Sequence, residues 1–171
     1  MQTKRDVMER IGFTEATDRL LQRADGICVS RGSRLTELRR QVLGLVLDSD
    51  TPVGAYDLLE RLRSAHKGAA PPTVYRALDF LLEQGLVHKV ERLSAFVGCV
   101  HASEPDDVHS GHDHEHHHAA QFLICTRCSR TVELEDDDVA SALGVAAAGV
   151  GFRPARSTVE VEGLCAMCQA G

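Results

Sequence analysis

Two Cys-x-x-Cys pairs constrain the fold of this chain more than any other feature of its sequence. They are Cys125 with Cys128 and Cys165 with Cys168, and 36 residues separate the two pairs. Thiolates at this spacing on a tight turn can chelate one ion, and two such turns form a closed tetrahedral zinc site. The separation exceeds that of a simple zinc ribbon, so the metal is expected to clamp the start and the end of a small domain. A redox role is the alternative, but a thioredoxin-like pair needs a βαβ context, which this sequence lacks.

The segment that precedes these pairs, residues 71–99, predicts a helix followed by a β-hairpin. Pro71 favours a helix start because proline lacks the N–H group that the first turn of a helix leaves unpaired. Gly85 lies where a glycine that ends the helix is expected. Tyr75 and Arg76 fall on the polar side near the helix N-terminus, an arrangement that suits reading of the DNA major groove. From this helix alone, an ordinary solvated surface helix is the favoured interpretation.

The predicted hairpin joins residues 86–91 to residues 95–100. A turn centred between Leu93 and Ser94 would place His88 directly opposite Cys99. Side chains opposite each other on antiparallel strands lie roughly 5 Å apart, which is close enough to share one metal. An exposed histidine and a buried small thiol with no common ligand are the alternative.

Apolar periodicity predicts helices over residues 14–31, 35–47 and 53–65, with Thr36 capping the second. Cys28, which has no partner at metal spacing, is interpreted as a structural thiol. Three helices followed by a hairpin are the order of a winged helix-turn-helix domain.

The remainder of the chain predicts a short linker and a second domain. Residues 101–118 are rich in histidine, lack a hydrophobic period and are interpreted as a linker. A helix over residues 136–150 and strands over 121–124, 131–135 and 157–162 give a β-β-α-β order. This small domain buries its own faces poorly, so we expect it to dimerise. The predicted fold class is α+β, with a winged-helix domain (1–99), a hinge (100–119) and an α/β dimerisation domain (120–171).

Charge is divided unevenly between the two halves of the chain. Residues 1–92 carry 15 Lys and Arg against 13 Asp and Glu, and residues 93–171 carry 4 against 12. The acidic half is therefore not the one expected to bind DNA. No stretch approaches the roughly 20 apolar residues of a membrane span, and the charged start does not resemble a signal peptide. Together with six cysteines, these features predict a cytoplasmic protein that uses its thiols for metal.

A second metal site would combine His88 and Cys99 with a linker histidine and a carboxylate. Mixed nitrogen, sulfur and oxygen ligands suit zinc. Glu133 is the candidate carboxylate because it follows Cys128 on the next predicted strand. Composition alone does not choose between the linker histidines His116, His117 and His118.

The motifs AYDLLERLR, PPTVYRALDFLLEQGLVHKVE, QFLICTRC and GLCAMC resemble the ferric-uptake-regulator superfamily, and within it the zinc uptake regulators. The resemblance runs from about Cys28 to Cys168. It implies a zinc-responsive repressor that binds a palindromic operator as a homodimer. The residue roles that it implies fall into four groups. They are structural zinc ligands Cys125, Cys128, Cys165 and Cys168; regulatory zinc ligands His88, Cys99, His118 and Glu133; DNA contacts Tyr56 and Arg76; and dimer–dimer contacts Glu60 and Arg63.

The linker departs from this family pattern, being longer and richer in histidine. The iron-sensing branch carries a compact His-His-Asp-His run before its first CxxC pair, whereas this chain has residues 119–124 there. Two zinc ions per subunit are expected, and His112, His114, His116 and His117 leave room for a weak third site.

Three other functions are the alternatives to a zinc-responsive repressor. The first is a sensor of iron, manganese, nickel or peroxide from the same superfamily. The second is a zinc hydrolase with Glu133 as base, although four protein ligands leave no open metal position for catalysis. The third is a zinc buffer built on the histidines. Neither a membrane nor a small-molecule substrate is expected as a partner.

Overall fold

The computed structural model describes residues 12–99, 120–134, 136–155 and 157–170. The chain divides into two compact units, Met1–Ser103 and Glu104–Gly171. The division falls within the segment predicted as a hinge, residues 100–119. This segment lies outside the described residues.

Four helices form most of the described part of the first unit: α1 (Glu15–Ser30), α2 (Glu37–Leu47), α3 (Ala55–Ala65) and α4 (Pro71–Glu83). The Thr14 hydroxyl caps α1 by accepting from the Thr17 amide at 3.2 Å. Thr36 is the N-cap residue of α2, as predicted, and has an extended conformation, but its side chain makes no capping hydrogen bond. The predicted helices over residues 14–31 and 35–47 are otherwise confirmed to within two residues at each end.

The third predicted helix begins later than expected because a short strand precedes it. Strand β1 (Val53–Gly54) pairs antiparallel with β3 (Ala95–Gly98), so that Val53 lies opposite Phe96. Val53 is a β-branched residue and is buried, and the edge of β3 offers its backbone hydrogen-bonding partners. Pairing with β3 therefore overrides the helical pattern at the N-terminal end of α3, and the periodicity of the local sequence does not indicate such a pairing.

Helix α4 ends where the sequence predicts, at a glycine. Gly85 has φ +65°, and its amide donates to the Leu82 carbonyl at 3.1 Å. The next amide, from Leu86, donates to the Leu81 carbonyl at 2.9 Å. These two bonds form a Schellman motif, which requires the left-handed conformation at Gly85. The motif turns the chain directly from α4 into the hairpin.

The hairpin consists of β2 (Val87–Val90), a single 3₁₀ turn (Glu91–Leu93) and β3. The predicted register was wrong: His88 lies opposite Val97, not Cys99. Ser94 adopts a left-handed conformation (φ 48°), which centres the turn one residue earlier than expected. Because moving the centre by one residue shifts every pair by two, Cys99 lies diagonal to His88 on the same face.

The core of the first unit lies between the four helices and the hairpin. Its fully buried members include Leu21, Val42, Leu58, Leu62, Leu78 and Leu81. Leu86 and Val87 extend the same core to the start of the hairpin. The outer surfaces of α3 and α4 are thereby left for other contacts.

From residue 120 onward, the described residues of the second unit form a three-stranded sheet and two helices. Strand β4 (Ala120–Cys125) lies between antiparallel β5 (Thr131–Leu134) and parallel β6 (Thr158–Gly163). Helix α5 (Asp137–Gly149) is capped at its N-terminus by Asp136, whose carboxylate accepts from the amides of Asp138 and Val139. The β-β-α-β order is confirmed. A four-residue helix, α6 (Ala166–Gln169), was not predicted.

Candidate functional site

The structure brings together the four cysteines of the two CxxC pairs. Cys125 ends β4 and Cys128 lies in the turn that follows, whereas Cys165 precedes α6 and Cys168 lies within it. Parallel pairing places Cys125 opposite Gly163 at the end of β6, so the second pair follows next to the first. The four Sγ atoms all lie within 4.8 Å of one another, and the distance from Cys128 Sγ to Cys165 Sγ is 3.8 Å.

Hydrogen bonds to backbone carbonyls hold the two thiol-bearing turns against each other. The Thr126 amide donates to the Gly163 carbonyl at 2.9 Å, and Arg127 Nη1 donates to the Cys168 carbonyl at 2.8 Å. Neither bond uses a sulfur atom as its acceptor. These two bonds help to bring the two turns, and with them the four sulfurs, together.

The thiols of this cluster differ in pKa, since that of Cys125 is lowered and that of Cys168 is raised. The backbone amide of Cys165 donates to Cys125 Sγ at 3.4 Å, and with the amides of Cys128 and Arg127 it lowers the pKa of Cys125 to about 6. Hydrogen bonding from Cys168 to the Cys165 side chain is the main cause that raises the pKa of Cys168. Four thiols crowded together cannot all ionise without a cation, and a divalent ion supplies the missing positive charge. This donor set fits zinc.

A second group of metal-ligating residues begins at the base of the hairpin. His88 Nε2 lies 3.2 Å from Cys99 Sγ, although the two residues are not directly opposite. Diagonal neighbours on one face of a sheet remain within reach of long side chains, and His88 spans that distance. Cys99 is buried, and its amide donates to the Leu86 carbonyl at 3.1 Å, which ties it to the end of α4.

The remaining predicted ligands lie elsewhere in the chain. Glu133 is half-buried on β5 of the second unit, opposite Phe122 of β4. His118 lies outside the described residues, as do His112, His114, His116 and His117. The structure therefore brings together two of the four predicted ligands within one unit.

The predicted DNA-contacting residues lie on the surface of the first unit. Tyr75 and Arg76 are exposed near the N-terminus of α4, while Val74 and Ala77 beside them are buried. Tyr56 is 72% exposed in the first turn of α3, a large fraction for an aromatic side chain. Exposed aromatic and arginine side chains at the start of two neighbouring helices can form hydrogen bonds to phosphates and base edges.

Glu60 and Arg63 are exposed on the same helix as Tyr56, about one and two turns further along. Arg63 also has a contact that the sequence does not predict, because its Nε donates to the Ala69 carbonyl at 3.3 Å. The sequence analysis missed two further residues, Gln41 and His66. The side chains of these residues form a hydrogen bond between Gln41 Oε1 and His66 Nε2. Gln41 had a detectable signal, since it is a polar residue at a position of α2 that the apolar period assigns to the core.

Within the described residues, no helix is both long enough and apolar enough to cross a membrane.

The fold and the site define a class: a winged helix-turn-helix unit joined to a thiol-rich, metal-binding α/β unit. The ferric uptake regulator family model matches residues 30–162. The chain is 42% identical over 152 residues to the zinc uptake regulation protein of Escherichia coli K12, covering 89% of this chain and 82% of that protein. The chain belongs to the ferric uptake regulator family.

Solved structures agree with this assignment. The chain is similar to a zinc uptake regulator complexed with zinc and DNA, with a TM-score of 0.80 at 41% identity, covering 92% of this chain and 97% of the other. It is also similar to holo XcZur, with a TM-score of 0.76 at 45% identity and coverage of 90% and 99%.

Proposed function

We propose that this protein is a zinc-responsive transcriptional repressor, which binds a palindromic operator as a zinc-loaded dimer and controls zinc-uptake genes. The observation that carries the proposal is the continuity between α4 and the His88–Cys99 pair. A Schellman turn leads directly from the helix that would read DNA into the hairpin. The two residues that would hold a metal lie at the base of that hairpin. The similarity to a zinc regulator solved with zinc and DNA supports the same function.

Zinc would be held at two places in each subunit. Cys125, Cys128, Cys165 and Cys168 are proposed as the structural site, in which zinc binding also contributes folding free energy. His88, Cys99, His118 and Glu133 are proposed as the regulatory site, with ligands from the first unit, the hinge and the second unit. When bound there, zinc acts as a ligand that favours one arrangement of these segments over others. The linker histidines are proposed as a weak third site.

The first unit would supply the DNA contacts. Arg76 and Tyr75 would read base edges from the N-terminus of α4, and Tyr56 would contact the duplex from α3. The charge distribution supports this assignment, because 15 of the 19 Lys and Arg residues lie in residues 1–92 and only 4 lie in residues 93–171. Since operator DNA is the proposed partner, the protein is expected to act in the cytoplasm.

The second unit would supply the dimer interface. No residue of α5 is buried, and Val145 and Phe152 are 72% and 67% exposed. Leu123, Val132 and Val161 lie on one face of the sheet and are also exposed. Apolar side chains exposed at this density favour association, and a second copy of the chain would cover them. Two recognition helices would then match the two halves of a palindrome.

Metal content separates this function from its alternatives. The purified protein should contain about two tightly bound zinc ions per subunit, and stepwise chelation should remove the regulatory ion before the structural one. Gel-shift assays on a duplex selected by the protein from random DNA should lose the complex at that same step. Another bound metal would indicate a different sensor of the family, and zinc binding without DNA binding would indicate a buffer. Zinc-dependent hydrolysis without DNA binding would indicate an enzyme.

A further inference from the structure

Gln41 places an amide inside the apolar face of α2. It is 1% exposed, and its neighbours Val42, Leu45 and Val46 are buried as well. A buried amide costs free energy unless its donor and its acceptor both have partners. Both have: Gln41 Nε2 donates to Glu37 Oε1 at 3.2 Å, and Gln41 Oε1 lies 2.6 Å from His66 Nε2. Because a carbonyl oxygen can only accept, His66 Nε2 carries the hydrogen.

His66 is the residue at which α3 ends and the turn to α4 begins. Its amide donates to the Leu62 carbonyl at 2.8 Å, and its carbonyl accepts from the Ala69 amide at 2.9 Å. Its backbone thus closes α3 and organises the turn, while its side chain reaches back to α2. The first residue of the turn is therefore fixed to a helix that lies outside the α3–α4 pair.

We propose that His66 is a positioning residue for α4, acting through the buried amide of Gln41. The inference rests on the proposed function, in which α4 reads DNA. The turn of a helix-turn-helix sets the angle between its two helices, and base contacts from the second helix depend on that angle. The bond to Gln41 fixes the start of this turn, so it selects one orientation of Tyr75 and Arg76 without His66 touching DNA.

Two substitutions at His66 separate its donor from its size and charge. His66→Gln places an amide donor near the position of Nε2, whereas His66→Phe keeps a ring but leaves Gln41 Oε1 without its donor. The zinc-loaded, full-length proteins are titrated against a duplex that the wild type selects from random DNA, and against a scrambled duplex. We expect His66→Phe to weaken binding to the selected duplex about tenfold and to the scrambled duplex hardly at all. His66→Gln should bind within about twofold of the wild type.

A direct phosphate contact is one outcome that would overturn the inference. Loss of such a contact weakens binding to both duplexes and lowers the salt dependence of the affinity by about one unit of slope. Lys67→Ala, which changes the exposed neighbour, is the matched control and should leave the preference for the selected duplex unchanged.

The inference would also be overturned if the bond between His66 and Gln41 only stabilised the fold. Replacing both partners by apolar groups, in Gln41→Leu with His66→Phe, removes the unsatisfied amide and should recover thermal stability. We expect this double variant to stay about tenfold weaker on the selected duplex; wild-type affinity would overturn the inference. A wild type that selects no duplex in the presence of zinc would overturn the proposed function itself and the inference with it. Equal binding by the wild type and His66→Phe would overturn the inference alone.

Discussion

The contact between His88 and Cys99 is the residue-scale feature that would connect a bound metal to the hairpin. Cys99→Ser and His88→Ala should give folded protein that keeps its four-cysteine zinc and loses one zinc per subunit. Zinc-dependent DNA affinity should fall because one regulatory ligand is missing. Zinc content and gel shifts at limiting zinc measure these two effects. Cys28→Ala is the control, since Cys28 is a fully buried thiol within α1 and its loss should leave the zinc content unchanged. Normal shifts by Cys99→Ser at limiting zinc would contradict the assignment.

Arg76 makes a second residue-scale prediction. If its guanidinium reads a guanine, Arg76→Ala should weaken operator binding by about 1–3 kcal/mol and relax the preference at one base pair. Arg76→Lys keeps the charge but loses the bidentate geometry, so it should also lose that preference. Binding to a panel of singly substituted operator duplexes measures both effects. Equal losses on every duplex would show that Arg76 contacts only phosphate.

At the scale of elements, the glycine that ends α4 has a cost that can be measured. Gly85 has φ +65° with no atom within 4 Å of the position of a Cβ, so Gly85→Ala adds backbone strain and no clash. The free energy of unfolding of the first unit should fall by about 1 kcal/mol. Gly26→Ala in the interior of α1, where a Cβ also meets nothing within 4 Å, should instead raise it by about 0.5–1 kcal/mol. Urea denaturation measures both changes, and effects of the same sign would contradict this account.

Element boundaries that depend on local signals could be predicted from the sequence, whereas the boundary at β1 and the register of the hairpin, which depend on tertiary pairing, could not. Pro71 and Gly85 bounded α4 correctly because both residues act on their own backbone. Val53 was assigned to a helix because its strand partner, Phe96, is distant in the chain. The hairpin register was missed by two residues because the left-handed conformation of Ser94 fixes the turn centre.

The same distinction applies to the candidate sites. The four cysteines could be predicted because a CxxC spacing is itself the local geometry of a chelating turn. The bond between Gln41 and His66 could not be predicted, since it joins residues 25 positions apart through a tertiary contact. A polar residue on an apolar helix face indicates only that such a partner exists.

At the scale of the whole molecule, the four-cysteine site should decide whether a dimer forms. Cys168→Ser and Cys125→Ser should each remove the structural zinc, and the second unit should lose its fold because zinc binding is coupled to folding. Light scattering should then show monomers, and circular dichroism should retain the helices of the first unit. A stable dimer of Cys168→Ser would exclude a structural role for this site.

Assembly on DNA gives the last prediction, at the scale of more than one dimer. Glu60 and Arg63 are exposed on α3, and the resemblance to the family implies that they pair between neighbouring dimers. Glu60→Arg should therefore prevent a second dimer from binding while sparing the first, because like charges would oppose each other. Gel shifts resolve the two complexes by mobility.

The double variant Glu60→Arg with Arg63→Glu should restore the second complex only in part. Arg63 also donates to the Ala69 carbonyl within the turn before α4, and a glutamate cannot donate there. The single variant Arg63→Glu should accordingly weaken binding of the first dimer as well, whereas Glu60→Arg should not. If the double variant shows no rescue of the second complex relative to either single variant, the pair does not join dimers. It would then be an ordinary exposed contact, worth at most about 1 kcal/mol.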